Sequence, residues 1–494
     1  MILVTIITIL MVAGLIAWLV SRWNVGLAKW IALVAMVIDF LIVCSLWSQY
    51  GVGKITGTGS STWFIDYKTK WIPDFGIGFH LAMDGLSLVL LMLTFFLGIL
   101  SVLCSWREIT DRVGFYFFNL LWTIAGISGV FVAMDLFLFY FFWEVMLIPM
   151  FFLIGIWGGE RRRYASYKFF IFTQAGGLLM LLSILSLYII HGQQTGHYSY
   201  DYFNLAETRL EPTTAKWIMM GFLIAFAVKL PMVPFHNWLP DAHGEAPTAG
   251  SLILAGLLLK TGAYGILRFV LPLFPNAAAE IAWWAILFGV IGIIYGAMLA
   301  FAQTDLKRLI AYTSVSHMGF ILVGIFSFRE IAMQGVVMQM LTHGISTGAL
   351  FVLAGMIKER LHTRDIDQMG GLWTSMPAMG GAALVFTMAS LGLPALGNFI
   401  AEFLTLLGAF PAAPKLTILA TLGLVFSALY SLRMFQKVFL GNRLTNTKTM
   451  DMSPREILIM ASLTIAIVLL GLYPQPVINM VKTVANDLAV SHGV

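Results

Sequence analysis

Fourteen stretches of this sequence are each apolar over close to twenty residues, and that recurrence leaves few folds open. A helix rising about 1.5 Å per residue needs roughly 20 apolar residues to cross a bilayer core about 30 Å thick. The stretches run approximately over residues 2–20, 27–47, 84–105, 114–133, 135–156, 165–190, 216–234, 248–273, 277–300, 307–326, 333–357, 378–408, 416–440 and 455–477. Within lipid the backbone must satisfy its own polar groups, which allows helices or closed barrels, and runs of this length select helices. The expected fold is an all-α integral membrane protein of about 14 transmembrane helices. Composition agrees. Hydrophobic residues make up 60% and charged residues 11%, against roughly 45–50% and about 25% in an average chain. The first span is not read as a cleaved signal peptide, because no basic residue precedes it and no small-residue cleavage site follows.

The same residues exclude several kinds of function. Only Cys44 and Cys104 occur, far apart, so neither a thiolate-held iron–sulfur cluster nor a structural zinc site is expected in this chain. No glycine-rich loop follows a strand pattern, so no nucleotide site is indicated. The net charge of +5 does not point to nucleic acid, because the basic residues sit in short loops between apolar runs.

Those loops set an orientation. Loops after odd-numbered spans carry eighteen Lys and Arg residues, among them Arg22, Arg112, Arg161, Arg308, Arg364 and Arg433, whereas the opposite side carries eight. Basic residues favour the cytoplasmic side, so both termini are expected on the non-cytoplasmic side. The remaining three, Lys229, Lys260 and Arg268, lie inside spans. Residues 48–80 and 191–215, rich in Gly, Ser, Thr, Tyr and Asn, are expected to form ordered loops on the outer face.

Titratable residues at mid-depth carry the functional signal. Counted from the start of its span, Glu144 lies about 14 Å deep and Lys229 and Lys260 about 18 Å. His317 and His343 lie ten residues into spans 10 and 11, and Glu402 in the second half of span 12. Unpaired, the four charged groups together would cost about 10–14 kcal/mol on insertion scales. A lysine stem cannot snorkel to an interface about 15 Å away. A single such residue could belong to a structural ion pair, and a single histidine is more often a core imidazole bonded to a carbonyl. Six on different helices read better as a hydrated proton relay. Gln339, His343 and Thr347 share one helical face, as do Thr313, Ser314 and His317, so amides and hydroxyls accompany the imidazoles.

Prolines fall at the same places. Pro231 and Pro234 follow Lys229 and are expected to free the carbonyls of Ala227 and Leu230; Pro394 frees Ser390, and Pro149 frees Val145 beside Glu144. Broken helices beside mid-membrane charges mark transporter cores. The breaks in spans 7 and 12 share a Leu-Pro core and lie five spans apart. An odd offset predicts two units inverted in the membrane, each a half-channel open to one side.

The stretch DLFLFYFFWEVMLIPMFFLIGIWG at 135–158 resembles the fifth span of the M-type (mitochondrial chain 4-type) antiporter-like membrane subunit of NADH–quinone oxidoreductase, complex I. AFAVKLPMVPFHNWLPDAHGEAPTAGS at 225–251, FAQTDLKRLIAYTSVSHMGF at 301–320 and MASLGLPALGNFIAEF at 388–403 resemble the same family, and the likeness runs from about residue 70 to the end. It implies fourteen helices with two inverted five-helix repeats, spans 4–8 and 9–13, broken at helices 7 and 12. The corresponding division is 1–113, 114–273, 277–440 and 441–494, the last being a transmembrane helix and tail. It implies that Glu144 pairs with Lys229, that Lys260 is the central lysine, and that Glu402 is the outlet group, where relatives often have lysine. His236, His317 and His343 match histidines of the central hydrophilic axis. It further implies proton pumping in a cell inner (cytoplasmic) membrane, driven by quinone reduction in partner subunits. Those partners hold NADH, FMN, the iron–sulfur clusters and the quinone, and neighbouring antiporter-like subunits flank this one. Asn237 and Ala401 stand where glycine is common, and neither removes a titratable group.

Two other classes compete with a subunit of a redox-driven pump. A subunit of a multi-subunit cation/proton antiporter has similar ancestry and length, but such relatives usually lack the WEVMLIP and GNFIAEF forms present here. A purely structural anchor would have no need of six mid-depth titratable groups.

Overall fold

A computed structural model describes residues 1–51, 63–442 and 450–490. Its first spans are α1 (Ile2–Val20) and α2 (Val25–Tyr50). After a hairpin come α3 (Gly85–Glu108), α4 (Val113–Val130), α5 (Leu136–Trp157) and α6 (Arg162–Thr195). The first broken helix is α7 (Pro212–Lys229) continued by α8 (Leu239–Glu245). Next are α9 (Thr248–Leu273), α10 (Pro275–Phe301), α11 (Leu306–Ile325) and α12 (Glu330–Leu361). The second broken helix is α13 (Pro377–Ser390) with α14 (Gly397–Ala409), followed by α15 (Pro414–Phe439), α16 (Pro454–Leu472) and α17 (Gln475–Val490). Among the described residues, 12 helices are long and apolar enough to cross a membrane. The two expected spans not among them, 216–234 and 378–408, are the broken ones. The chain is thus a multi-pass membrane protein of the expected helical class.

Burial sorts the helices. The apolar windows of α9, α11 and α12 are 100%, 89% and 94% buried, whereas those of α1, α2 and α16 are only 33–39% buried. The first set forms the interior, and it carries Lys260, His317 and His343. Side-chain caps fix several helix starts: Asp84 accepts from Ser87 N, Asp135 from Leu138 N and Asp305 from Arg308 N, at 2.9–3.0 Å. Each such cap is worth roughly 1 kcal/mol.

Two regions differ from expectation. The stretch 48–80 is not simply a loop: α2 runs to Tyr50, and β1 (Ile65–Ile72) pairs antiparallel with β2 (Ile77–Met83), Tyr67 facing Leu81 and Thr69 facing Phe79. The part of that stretch at 52–62 lies outside the described residues. The hairpin docks by backbone bonds, Ala82 N to Val132 O at 2.8 Å and Met134 N to His80 O at 2.9 Å. Gly76 turns with φ +67°, and a Cβ there would lie 2.1 Å from the Tyr198 carbonyl, so both conformation and space require glycine. Within 191–215, α6 continues to Thr195 and a short helix occupies Tyr202–Ala206. A scan for twenty-residue apolar windows is blind to an eight-residue strand.

The tail after α16 is also structured. In α17, Val477, Met480, Val481, Val484 and Leu488 are buried at helical spacing. That stripe packs on α3 and α12. Gly85 lets the Met480 carbonyl approach to 1.9 Å from where a Cβ would stand.

Candidate functional site

Lys229 is the last residue of α7, and its ammonium is fully buried with no protein hydrogen-bond partner. The Nζ lies 5.3 Å from the ring centroids of both Trp143 and Phe169, so aromatic faces surround the charge. The break beyond it is only partly open. Met232 N bonds the Ala227 carbonyl at 2.9 Å, so that carbonyl is not free as the sequence led us to expect. Trp238 Nε1 bonds the Val228 carbonyl at 2.9 Å and ties the far side of the break back onto α7. Glu144 on α5 is half-buried, with Gln174 Nε2 3.4 Å from its Oε1. It makes no direct hydrogen bond to Lys229, yet it is near enough for the two opposite charges to act on each other.

Lys260 sits in α9 between two wide-turn segments, Leu254–Leu258 and Ile266–Val270. Where five-residue hydrogen-bond spacing reverts to four, one carbonyl loses its backbone donor. The Ala255 carbonyl accepts the Lys260 ammonium at 2.5 Å. The same Nζ lies 2.7 Å from His343 Nδ1 on α12. Gly262, half a turn further, presses α9 onto the first break, since a Cβ there would stand 2.7 Å from Phe226 O and 3.1 Å from Lys229 Cβ.

From His343 the row of titratable groups continues. Its ring centroid lies 5.7 Å from that of His317 on α11. His317 Nδ1 lies 2.9 Å from Glu402 Oε1 on α14. His317 Nε2 faces two hydroxyls, Tyr430 at 3.3 Å and Ser390 at 3.4 Å. A hydroxyl both donates and accepts, so this ring can gain or lose a proton at Nε2 without losing its partners. His343 Nε2, Glu402 Oε2, the Gln339 amide and Thr342 Oγ1 are buried without a protein partner. Buried polar groups of that kind need hydrogen bonds, and water is small enough to supply them.

The two breaks place their charges by different routes. In the Leu-Pro motif Gly392 holds the place that Lys229 holds in the first break. Gly392 has φ +79°, and a Cβ on it would lie 3.2 Å from Glu402 Oε2. The carboxylate of α14 therefore reaches back to the point where the first break carries its own lysine.

Not every expected residue joins this row. His236 lies in the first break between the rings of Tyr295 and Tyr312, at 5.5 and 6.4 Å, and no hydrogen bond links it to Lys260 or His343. Sequence reasoning missed His243 instead. It is fully buried on α8, stacked on Phe351 at 4.4 Å, with neither ring nitrogen bonded and Lys260 and Lys307 as its charged neighbours. Its signal was available: the quoted stretch 225–251 contains both histidines. Also unforeseen is the ionic frame holding α8. Asp241 binds Lys168 at 2.6 Å and Arg308 at 2.7 Å, and Arg364 binds Glu245 at 3.3 Å and Asp305 at 3.1 Å. This frame ties α8 to α6 on one side and to α11 on the other.

A family model described as NADH:quinone oxidoreductase/Mrp antiporter, TM, matches residues 133–428. The NADH-quinone oxidoreductase subunit M of Pseudomonas aeruginosa is 51% identical, over 97% of this chain and 96% of its own. That of Escherichia coli K12 is 49% identical over the same shares, 97% and 96%. The fold is similar to a chain of respiratory complex I from Thermus thermophilus with bound NADH, with a TM-score of 0.89, 30% identity and 100% of each chain covered. The family model spans both breaks and every residue from Glu144 to Glu402, and the full-length relatives share one description. The chain belongs to the NADH:quinone oxidoreductase/Mrp antiporter family of membrane subunits, and within it to the subunit M relatives of NADH-quinone oxidoreductase.

Proposed function

We propose that this chain is the proton-translocating M-type membrane subunit of an NADH–quinone oxidoreductase, moving protons as quinone is reduced elsewhere in the complex. The row Lys260–His343–His317–Glu402 carries the reading. It joins four titratable groups from four helices, with direct contacts of 2.7 and 2.9 Å at its ends. A proton delivered past Glu144 to Lys229 would pass across Gly262 to Lys260, then by His343 and His317 to Glu402. The unpartnered polar groups along the row give water places to bridge the wider steps.

The first antiporter-like unit would be 114–273 and the second 277–440, preceded by 1–113 and followed by 441–494. The excess of Lys and Arg on one side supports insertion in a cell inner membrane with both termini on the non-cytoplasmic side. Neighbouring antiporter-like subunits of the same complex are the expected partners. Gentle detergent purification tests the assignment: flavin and iron–sulfur subunits should copurify. Copurification with cation/proton antiporter subunits alone would overturn it. In the assembled complex Lys260→Ala should abolish most pumping, and full pumping there would overturn the path.

A further inference from the structure

Where α1 ends and α4 begins, on the basic-rich side of the chain, a cavity of about 510 Å3 opens between them. Arg22, in the turn after α1, and Arg112, immediately before α4, stand on its two lips. Both are exposed, and among the described residues neither guanidinium has an ion pair or hydrogen bond. Carboxylates do not neutralise the cleft. Asp111 adjoins Arg112 without lining it, and Glu108 is occupied by Thr248 N and Oγ1, both at 3.0 Å.

The floor is fixed and the wall below is apolar. A Cβ on Gly114 would lie 1.9 Å from Ser21 Oγ, so the end of α1 rests directly on the first turn of α4, and Arg22 and Arg112 both line the cleft where the two meet. Trp18, Phe115 and Phe118 continue from the cleft along the helices, with ring centroids 5.7, 5.4 and 6.0 Å apart. Aromatic rings at this level belong to the headgroup region of a bilayer. Two free cations above an aromatic wall match a ligand with an anionic head and an apolar body. A free phosphate would use only the cations.

We infer that this cleft is a binding site for an anionic phospholipid, its phosphate between Arg22 and Arg112 and its acyl chains along Trp18, Phe115 and Phe118. Basic pockets between spans on the cytoplasmic side are suited to such headgroups. The alternative is a pair of solvated arginines that merely orient the chain.

The two readings separate in the purified complex reconstituted with photoactivatable lipids. A phosphatidylglycerol carrying a diazirine in its acyl chain should label peptides containing Trp18 and Phe115 several-fold more than a phosphatidylcholine with the same diazirine. Arg22→Gln with Arg112→Gln should weaken that labelling by roughly thirtyfold in lipid concentration. Arg22→Lys with Arg112→Lys should restore most of it. Equal labelling by the two lipids, or labelling unchanged in the Gln pair, would overturn the site. Loss of labelling on adding inorganic phosphate would assign the cleft to a free anion and likewise overturn the lipid reading.

Discussion

Lys260 Nζ and His343 Nδ1 stand 2.7 Å apart, so two basic groups share one hydrogen bond inside a fully buried site. Only one proton can lie between them. With lysine as ammonium, His343 must be neutral and accept at Nδ1, which places its own proton on Nε2, a nitrogen without a protein partner. While the lysine is an ammonium, the contact therefore fixes the tautomer of His343.

If these groups act in series, a single histidine loss is partly bypassed by water. His343→Ala and His317→Ala should each lower the pumping rate moderately, and the double change should cost more than either. Rates are compared at matched assembly, by proton uptake in vesicles during NADH oxidation. Wild-type pumping in the double variant would make the two rings structural.

The sequence shows the spans because each apolar run is continuous, and it shows Lys229, Lys260 and Glu402 because charge within such a run is costly. Register between helices is less legible. That Lys260 meets His343, rather than another polar residue of α12, depends on the wide turns of α9, for which no residue type is diagnostic. His243 was hidden for the opposite reason, since it lies on a seven-residue helix that no periodicity reveals. The hairpin escaped because its strands are short and only half apolar. The ionic frame of Asp241, Glu245, Lys168, Arg308 and Arg364 joins residues up to 119 positions apart only after folding.

Lys229, with no protein partner for its ammonium, is poised to gain or lose a proton as Glu144 and its surroundings change. Lys229→Ala should remove most pumping while the protein still inserts and assembles. Gly262→Ala probes the same point without touching a charge. Its methyl group would meet Phe226 O at 2.7 Å and Leu230 N at 2.8 Å, backbone atoms that can yield only if α9 shifts off the break. Pumping should fall substantially in Gly262→Ala, measured against NADH oxidation in the same vesicles. Unaltered pumping in either variant would remove Lys229 from the path.

The β1–β2 hairpin should respond to pH. His80 Nδ1 lies 2.7 Å from Asp201 and its Nε2 2.9 Å from Asp66, an arrangement that suits the doubly protonated ring. Burial opposes that charge, but bonding to Asp201 and Asp66 outweighs it and raises the His80 pKa above its usual value. Burial likewise raises Asp201, yet His80 and Lys68 pull it below the usual carboxylate value. The histidine contribution is complete below the ordinary value of about 6.5 and fades as pH rises through the raised one. The Asp201 contribution is complete above about 3.9 and is lost only at lower pH. Docking should be firmest between roughly pH 4 and 6.5 and loosen on the alkaline side. Hydrogen exchange at the amides of Phe79–Met83, corrected for intrinsic rate, should rise with pH in the native protein, and His80→Gln should flatten the profile. A flat native profile would contradict this account.

In the proposed path, Glu402 is the last group of the row. It lies five residues into α14, about 7.5 Å of helix beyond Gly397, yet its Oε2 returns to Gly392 while Oε1 bonds His317 at 2.9 Å. One oxygen is thus committed to the row, and the other has no protein partner. In the proposed role, a carboxylate so placed takes a proton from His317 and releases it to water beyond the row. It could instead be a fixed acceptor that holds His317 in place. A relay needs a group that titrates, so Glu402→Asp and Glu402→Lys should keep partial pumping while Glu402→Gln loses most of it. A fixed acceptor would tolerate glutamine, which still accepts from His317 Nδ1, better than lysine, which places a second cation beside the ring. The three variants differ in opposite directions under the two roles, and proton pumping at matched assembly separates them. A glutamine variant that pumps better than the lysine variant would end the exit role.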